Sequence, residues 1–498
     1  MLSRISGDNA ALPGRECCPC QRPELQSVTR RITAELSRRG FLAGMAASIA
    51  SLGLPMPAAA QPKPVRPSRP TLFTNFRLFD GKSGTLRDGL HLLVEGNRIK
   101  AVGTGSPTAP DGAQVIDCGS RVIMPGLIDA HWHCLFAALP ISNLMTADIG
   151  YIHLAASAEA ERTLMRGFTT VRDVGGPVFA LKQAIDEGLV SGPRIYPSGA
   201  MITTTGGHGD LRLLSDLPRK PGGPLSYLEQ TGGVGIADSA GEIRLRVREQ
   251  LMQGASQIKL VGAGGVSSPR SPLDMLTFSE PELRAGVGVA EDWNTYTTVH
   301  AYAPTTVQRA IGAGSRCIEH AHLMDTATAK LMSDKGTWLS IQPFIGEDDF
   351  PPLSGPSRDK ALQVLAGTHM AYMLAKTHKI KTAFGSDLLF SETLTARQGT
   401  MLTHLTRWHA NSDILKIATA TNGELLALSG PRNPYPGKLG VIEEGALADL
   451  LLVDGNPVED INLIAAPDKN FLIIMKDGKI YKDTLTPLRS RRSVIWFN

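Results

Sequence analysis

Residues 124–134 read MPGLIDAHWHC, an apolar run that ends in two histidines one residue apart. The run has the composition of a buried strand, and in a strand residues i and i+2 point to the same side. The side chains of His131 and His133 are therefore expected to lie on the same side of the strand. Two neutral imidazoles that converge on one point can bind a divalent metal. A pair of unrelated surface histidines is the alternative, so the rest of the chain has to decide.

The bulk composition is that of a globular enzyme. The chain has 498 residues, of which 42% are apolar and 20% are charged, with a net charge of +4. This length suits a barrel with a smaller partner domain. The body contains no dense Lys/Arg block, which gives little support for nucleic-acid binding. Outside the first twenty residues only Cys118, Cys134 and Cys317 remain, too widely spaced for a disulfide framework.

The N-terminal sequence contains a predicted export signal. Residues 37–44, SRRGFLAG, resemble a twin-arginine export signal, and an apolar segment then leads to a small-residue site that would be cut after Ala60. The apolar segment is shorter than the roughly 20 residues of a membrane-spanning helix. We expect residues 1–60 to be a signal peptide with an N-terminal extension, 61–70 a Pro-rich linker, and the mature protein to be periplasmic or secreted without a stable membrane anchor.

Short strand signals occur at both ends of the chain. Residues 71–123 contain apolar runs separated by turns such as Gly96–Asn97, and 431–484 contain similar runs with Gly and Asp-Gly turns. Two strand-rich pieces that flank a different kind of sequence predict one small β-sandwich domain assembled from both chain ends. Residues 485–498 are left as a C-terminal tail.

Residues 124–430 alternate between apolar strand-like runs and segments of helical period. Eight such runs can be counted: GLIDAHWH, FTTVRDVGG, RIYPSGAMI, QIKLVGAGG, YTTVHAY, RCIEHAHL, TWLSIQPF and KTAFGSDLLF. Eight strands with intervening helices are what a (β/α)8 TIM barrel needs. The α/β prediction is thus a barrel with two long Gly- and Pro-rich connections, 203–240 and 344–361, at its substrate-facing end.

Polar side chains recur where these predicted strands end. They are His131 and His133 after the first run, Lys259 after the fourth, His300 after the fifth, His320 after the sixth and Asp387 after the eighth. A TIM barrel gathers these strand ends around one cavity. A core histidine, a helix cap or a strand-end lysine would explain each residue alone, but their convergence favours a metal site.

At this point the sequence resembles the metal-dependent amidohydrolase superfamily, over about residues 71–484. The motif PGLIDAHWH matches the first-strand signature of that superfamily, and GKLGVIEEGALADLLLVDGNP matches its closing segment. The resemblance implies that His131, His133 and Asp387 bind the more buried of two divalent ions, and that His300 and His320 bind the second. Imidazole and carboxylate ligands suit zinc best, and also manganese or cobalt. The resemblance also implies that Lys259 is carbamylated with CO2 and bridges the ions. If Lys259 is unmodified, a single-metal site is the alternative.

The chemistry expected of such a site is amide hydrolysis. A water held between two metals roughly 3.5–4 Å apart becomes hydroxide near neutral pH and attacks the substrate carbonyl. Asp387 would take the proton from this water and pass it to the departing nitrogen, acting as base and then as acid. Tyr302 would help to polarise the carbonyl.

Further stretches narrow the resemblance to one branch. TTVRDVGG (169–176), TTGGHGD (204–210) and AFGSD (383–387) look like the branch that holds Xaa-Pro dipeptidases, imidazolonepropionase-like proteins and ochratoxin-degrading amidohydrolases. By this likeness Tyr302 would contact the substrate, and His208 and Arg270 are further candidates for substrate binding. Where many relatives have His-Gly after the sixth strand, this chain has His320–Ala–His322, so His322 either competes as a ligand or lines the pocket.

The sequence therefore predicts an exported binuclear metal amidohydrolase. Its substrate would be a small molecule with a carboxylate: an N-acyl amino acid, a small dipeptide or an aryl amide such as ochratoxin A. A homo-oligomer is expected because relatives are commonly multimeric. A cyclic amide hydrolase of the imidazolonepropionase type is the alternative within the enzyme class, and a catalytically inactive periplasmic binding protein is the alternative outside it.

Overall fold

The computed structural model describes residues 69–105, 107–218 and 223–485. The predicted signal peptide (1–60), most of the predicted linker (61–70) and nearly all of the predicted tail (485–498) lie outside these ranges. Within them, no helix combines the length and the apolar character needed to cross a membrane.

The described residues form seventeen strands and fourteen α-helices. The strands are β1 Thr71–Leu78, β2 Arg87–Glu95, β3 Arg98–Thr104, β4 Gln114–Pro125, β5 Leu127–Trp132, β6 Phe168–Asp173, β7 Arg194–Pro197, β8 Met201–Thr203, β9 Val234–Ile236, β10 Ile258–Val261, β11 Thr297–Ala301, β12 Cys317–His320, β13 Trp338–Ile341, β14 Thr382–Phe384, β15 Leu450–Val453, β16 Phe471–Lys476 and β17 Lys479–Asp483. The helices are α1 Ile141–Thr146, α2 Ile149–Met165, α3 Phe179–Asp186, α4 Tyr227–Gln230, α5 Ala240–Met252, α6 Glu280–Asp292, α7 Pro304–Gly312, α8 Thr326–Lys335, α9 Gly355–Thr377, α10 Glu392–Thr395, α11 Gln398–Thr403, α12 Asn411–Lys416, α13 Asn422–Leu426 and α14 Pro467–Asn470.

The middle of the chain folds into two parallel sheets. One has the order β5-β6-β7 and the other the order β14-β13-β12-β11-β10-β8-β9. Parallel neighbours need crossover connections, and helices supply most of them. Each of the eight predicted runs contains a strand, and RIYPSGAMI contains two, because β7 and β8 are separated by a bend. The predicted α/β architecture is therefore present, with β9 as an additional strand inside the long connection 203–240.

Hydrogen bonds link the two parallel sheets at two places. Ser256 N, before β10, donates to Pro197 O at the end of β7 (2.8 Å), and Asp387 N, after β14, donates to His131 O in β5 (3.0 Å). The second contact joins an edge strand of each sheet, whereas β10 lies inside the larger sheet, between β11 and β8.

A third sheet joins the two ends of the described chain. Its order is β17-β16-β15-β4-β1-β2-β3, with β1 and β4 parallel and the other neighbours antiparallel. The sheet buries apolar side chains such as Phe73, Leu92 and Leu452 on one face. The described strands hydrogen-bond as one seven-stranded sheet, so the two layers of the predicted sandwich are not shown by its pairing.

This terminal sheet is continuous with the first strand of the middle region. Only Gly126 separates β4 from β5, and its N–H donates to Asp449 O (2.9 Å). A Cβ on Gly126 would lie 2.1 Å from Thr169 Oγ1, so the close approach of β6 requires glycine here. The sheet thereby fixes the start of the strand that carries His131.

Candidate metal centre

Asp387 brings the two histidines of β5 together. Its Oδ1 lies 3.3 Å from His131 Nε2 and 3.5 Å from His133 Nε2. His131 and His133 are both buried. Two imidazole nitrogens and a carboxylate oxygen thus converge on one point, and these are ligand types that divalent zinc and related metals accept.

The opposite nitrogens of these two rings are already engaged. His131 Nδ1 lies 2.7 Å from Glu319 Oε2, and His133 Nδ1 lies 2.9 Å from Gly175 O. Both oxygens only accept hydrogen bonds here, so each Nδ1 carries a proton and each Nε2 faces Asp387. Contacts of this kind orient metal-binding histidines in proteins.

His300, His320 and Lys259 complete the cluster. The His300 and His320 rings are 4.5 Å apart, and the His131 and His320 rings are 4.9 Å apart. Ligand atoms of His131, His320 and Asp387 lie within 4.8 Å of one another, so His320, from the second predicted ligand set, lies close to two members of the first. Lys259 is 2% exposed and lines the same cavity.

The free nitrogens of His300 and His320 differ. His300 Nε2 donates to Gly264 O (2.9 Å), which leaves Nδ1 as its ligand atom. His320 Nδ1 donates to Gln342 Oε1 (2.8 Å), which leaves Nε2. Each of the four imidazoles therefore keeps one nitrogen for a ligand and uses the other to fix the orientation of the ring.

Strand alternation alone would not place His320 here. In register with His300 on the neighbouring strand stands Glu319, and residue 320 should face the other way. His320 and Ala321 instead adopt left-handed backbone conformations, with φ of 79° and 50°. Asp387 does the same at φ 52°, and non-glycine residues in this region commonly mark functional sites.

The electrostatics favour neutral imidazoles at His133, His300 and His320. Burial and the neighbouring His131 lower the pKa of His133 to about 4, and burial lowers the pKa values of His300 and His320 well below their usual range. For His131 burial acts in the same direction, but the Asp387 carboxylate raises the pKa overall. Burial would raise the pKa of Asp387, yet His131 and His133 lower it to about 2. A bound metal cation would displace the proton that the Asp387 carboxylate favours on His131.

Lys259 is a buried amine in a cation-seeking cluster. Burial lowers the pKa of its ammonium, and its Nζ has no hydrogen-bond partner among the described residues. A deprotonated amine is the form that reacts with CO2. The donor set as a whole therefore fits divalent metal ions, and Lys259 remains the candidate for the bridging position.

The cluster lies at one end of a cavity with largely apolar walls. The lining includes Phe136, Leu144, Met201, Leu211, Leu228, Phe344, Phe350, Leu353, Leu389 and Phe390. The two long connections predicted to face the substrate supply Leu211 and Leu228 on one side and Phe344, Phe350 and Leu353 on the other.

Two of the predicted substrate contacts face this cavity. The Tyr302 ring stacks on His320 at 4.8 Å, and burial raises its pKa well above the usual value, so the hydroxyl keeps its proton. His208 stacks on His300 at 4.4 Å and hydrogen-bonds through Nδ1 to Ser268 Oγ (2.9 Å). Burial and Lys259 lower the pKa of His208 to about 3, so its ring is neutral.

The structure does not bring the other two candidates into the cavity. His322 is buried behind it, with Nε2 donating to Gln342 O (3.0 Å) and its ring stacked on Phe344 at 5.5 Å. Arg270 is exposed and lines a neighbouring cavity. The choice between His320 and His322, which the sequence left open, therefore goes to His320.

Sequence reasoning missed the residues that hold the ligands. Glu319 is fully buried, accepts from His131 and from Arg172 Nη2 (2.5 Å), and also hydrogen-bonds with Thr298. Gln342 orients both His320 and His322. The register of Glu319 with His300 is visible only in the structure, and no local sequence pattern marks either Glu319 or Gln342.

Asp129 holds the chain around the ligands. Its Oδ1 accepts from His131 N and Ser386 N at 3.0 Å each, and its Oδ2 accepts from Ser386 Oγ (2.6 Å) and Gln398 Nε2 (2.8 Å). The same carboxylate thus joins the segments that precede His131 and Asp387.

Residues 122–481 match the model of the amidohydrolase family, and the chain belongs to that family. It is a hydrolase that acts on amide or peptide bonds.

Its relatives agree with this class. The chain is 30% identical to the ochratoxinase of Aspergillus niger over 384 residues, which cover 72% of this chain and 76% of the relative. Among solved structures, a prolidase in complex with N-methylphosphonate-L-proline is 34% identical with a TM-score of 0.77, covering 83% of this chain and 100% of that one. An Xaa-Pro dipeptidase with bound methionine in the active site is 28% identical with a TM-score of 0.72, over 83% and 100% of the two chains.

Proposed function

We propose that the protein is an exported, binuclear metal-dependent amidohydrolase that cleaves the amide bond of N-acyl amino acids or small dipeptides, including aryl amides of the ochratoxin A type. The observation that carries this proposal is the convergence of His131 Nε2 and His133 Nε2 on Asp387 Oδ1, at 3.3 and 3.5 Å, inside a substrate-sized cavity. The similarity to an ochratoxinase and to prolidases supports the substrate class.

His131, His133 and Asp387 would hold one ion, and His300 Nδ1 and His320 Nε2 the other. Carbamylated Lys259 would bridge them. The imidazole and carboxylate ligands favour zinc. In this proposal the two parallel sheets close into a (β/α)8 barrel, which is supported by the hydrogen bonds that join β7 to the start of β10 and β14 to β5.

The side chains of the cavity divide the work of hydrolysis. Bound metal ions supply Lewis acidity and lower the pKa of water. Asp387 accepts a proton from the attacking water and delivers it to the amide nitrogen as the C–N bond breaks. The Tyr302 hydroxyl donates to the substrate carbonyl oxygen, and His208, on the far side of His300, contacts the rest of the substrate.

Location and partners follow from the N-terminal signal and the composition. The twin-arginine motif supports export to the periplasm or beyond with cleavage near Ala60, and this segment lies outside the described residues. We propose a small-molecule substrate with a carboxylate, no nucleic-acid partner and a homo-oligomeric assembly.

A substrate panel tests the proposal. It contains N-acyl amino acids, Xaa-Pro and Xaa-Arg/Lys dipeptides and ochratoxin A, each assayed for amino-acid release with and without added zinc. We expect metal-dependent release from at least one group. Imidazolonepropionate is assayed alongside the panel, and its hydrolysis alone would favour the cyclic-amide alternative. A protein with no bound metal and no turnover would favour the binding protein.

A further inference from the structure

A second cavity adjoins the candidate metal centre and has no part in the proposed chemistry. Its apolar lining consists of Ile141, Met145, Leu211, Leu213, Leu214 and Leu217. Leu211, Ser267 and Ser268 line both cavities. We call them the inner chamber, which holds the candidate ligands, and the outer chamber.

Helix α1 forms part of the wall between the two chambers. Leu144 lines the inner chamber, whereas Ile141 and Met145 line the outer one. Residues i and i+4 share one helix face, so the two outer residues form a continuous apolar surface. One short helix thus presents apolar side chains to both chambers.

The outer chamber exposes leucine side chains that packing does not explain. Leu213, Leu214 and Leu217 are 55%, 63% and 43% exposed. Exposed apolar side chains gathered at one place mark binding surfaces more often than isolated ones do.

The wall between the chambers is held in a fixed position. Lys360, on α9, is buried, and its Nζ donates to the carbonyls of Gly265 (2.7 Å), Ser268 (2.6 Å) and Ser271 (3.1 Å). Ser268 Oγ in turn contacts His208 Nδ1 and accepts from Gly209 N. The segment that lines both chambers at Ser267 and Ser268 is therefore anchored before a substrate binds.

Three charged residues, Asp210, Arg212 and Arg270, line the outer chamber together with the leucines. Arg212 pairs with Asp210 at 2.6 Å, and Arg270 is exposed. Because two of the three charges offset each other, the apolar side chains of the lining suit a hydrocarbon better than a polar peptide.

We propose that the outer chamber binds the hydrocarbon chain of an N-acyl substrate, so that the preferred substrates are amino acids acylated with medium-length or long fatty acids. This inference rests on the proposed function, since the amide must lie at the metal centre of the inner chamber while the chain passes Ser267 and Ser268. Hydrolysis breaks the C–N bond, adds the hydroxyl of water to the acyl carbon and a proton to the nitrogen, and releases a fatty acid and an amino acid.

A chain-length series tests the inference on the full mature enzyme. N-acetyl, N-octanoyl and N-dodecanoyl derivatives of the amino acid released fastest in the panel are compared below their micellar concentrations. Each methylene removed from water favours binding by up to about fourfold. We expect kcat/KM to rise at least tenfold from acetyl to octanoyl, through a lower KM. If kcat/KM stays constant or falls as the acyl chain lengthens, the inference is overturned while the proposed function stays intact.

Variants locate the effect. The double variant Leu214→Ser with Leu217→Ser should reduce the octanoyl-to-acetyl ratio about fivefold or more and leave the acetyl substrate unchanged, and Leu214→Met should retain the ratio. Leu189→Ser is the matched control, because Leu189 is 74% exposed but lines neither chamber. An unchanged ratio in the double variant contradicts the assignment.

A binding measurement separates the two proposals. A fluorescent fatty acid should bind the wild type and the Leu189→Ser variant, and bind the double variant at least fivefold more weakly. If no amide in the panel is cleaved, the proposed function fails, and this measurement still decides whether the outer chamber binds a hydrocarbon chain. Equal binding to all three proteins overturns the inference.

Discussion

Asp387 combines an unusual backbone with a central position in the site. Its φ of 52° is left-handed, its N–H donates to His131 O, and its carboxylate lies within 3.5 Å of two imidazoles. The backbone hydrogen bond holds the carboxylate against β5 in spite of the strained conformation. A side chain fixed in this way is suited to transferring a proton between two defined positions.

Replacing this carboxylate by an amide separates proton transfer from metal binding. Asp387→Asn keeps the size of the side chain and one oxygen ligand but cannot accept the proton from water. We expect turnover below a tenth of wild type, with metal content measured on the same sample as the control. More than a tenth of wild-type turnover with metals still bound would contradict the proton-transfer role.

Glu319 acts on the site through His131. Its carboxylate fixes the proton on His131 Nδ1 and offsets the charge of the buried Arg172. For Glu319→Gln we expect metal affinity to fall by about 10–100-fold, because such orienting partners contribute that much to metal sites. A competition titration with a chromogenic chelator measures the loss, and an affinity within twofold of wild type would refute the orienting role.

Ala321 occupies a backbone conformation that glycine adopts without strain. At φ 50° its Cβ is disfavoured by roughly 1–2 kcal/mol, and glycine in the unfolded chain offsets part of that gain. Ala321→Gly should raise the free energy of unfolding by about 0.5–1 kcal/mol in denaturant titrations. The control Ala158→Gly, at an exposed position inside α2, should lower it by about 1 kcal/mol. A destabilised Ala321→Gly protein would show that the methyl group packs favourably.

At the scale of elements, periodicity predicted the strands well and their ends poorly. The eight apolar runs each contain a strand. Two segments of helical period between these runs, 157–167 and 241–254, overlap α2 and α5 and extend two residues beyond the end of each helix. The alternation rule correctly puts His131 and His133 on one side. It fails at β12, because a left-handed turn at the strand end, which no local pattern announces, reverses the direction of His320.

Strand β16 contains a buried lysine whose charge depends on pH. Burial and the nearby Arg194 lower the pKa of Lys476 to about 8, whereas an unfolded lysine titrates near about 10.4. The folded state therefore disfavours the proton, and the resulting loss of stability is complete below about pH 8 and disappears as pH rises through about 10.4.

Lys476→Met should consequently stabilise the protein at pH 7, on the order of 1–3 kcal/mol. The gain should shrink as pH increases from about 8 to above 10, followed by chemical denaturation at each pH. Lys479→Met, at an exposed position of β17, is the control and should change stability little at any pH. A gain for Lys476→Met that is independent of pH would mean that packing, not charge, is responsible.

At the level of the whole molecule, the candidate ligands were predictable from the sequence, whereas the residues that orient them were found only in the structure. The candidate ligands stand next to strand ends, where a known architecture makes their convergence predictable. Glu319, Gln342 and Lys360 act across 22 to 188 residues of sequence, and such distances depend on tertiary packing. The placement of Arg270 at a different cavity has the same cause, since the course of a long connection is not encoded in its composition.

Removal of metal should destabilise the whole chain. Folding brings four imidazoles, a carboxylate and an amine into one buried cluster, and bound cations would stabilise the folded state by mass action. Extended dialysis against a chelator should lower Tm by several degrees, and zinc should restore it. The Asp387→Asn and His300→Ala variants should show a smaller response than wild type. An equal Tm with and without chelator would mean that no structural ion was bound.

Anomalous diffraction from crystals of the purified protein, together with metal analysis of the same preparation, tests the central claim most directly. We expect two ions per chain. One should lie about 2.0–2.2 Å from His131 Nε2, His133 Nε2 and Asp387, and the other at similar distances from His300 Nδ1 and His320 Nε2. Additional density on Lys259 Nζ would mark the carbamate. A preparation without metal, or with ions bound elsewhere, would contradict the account.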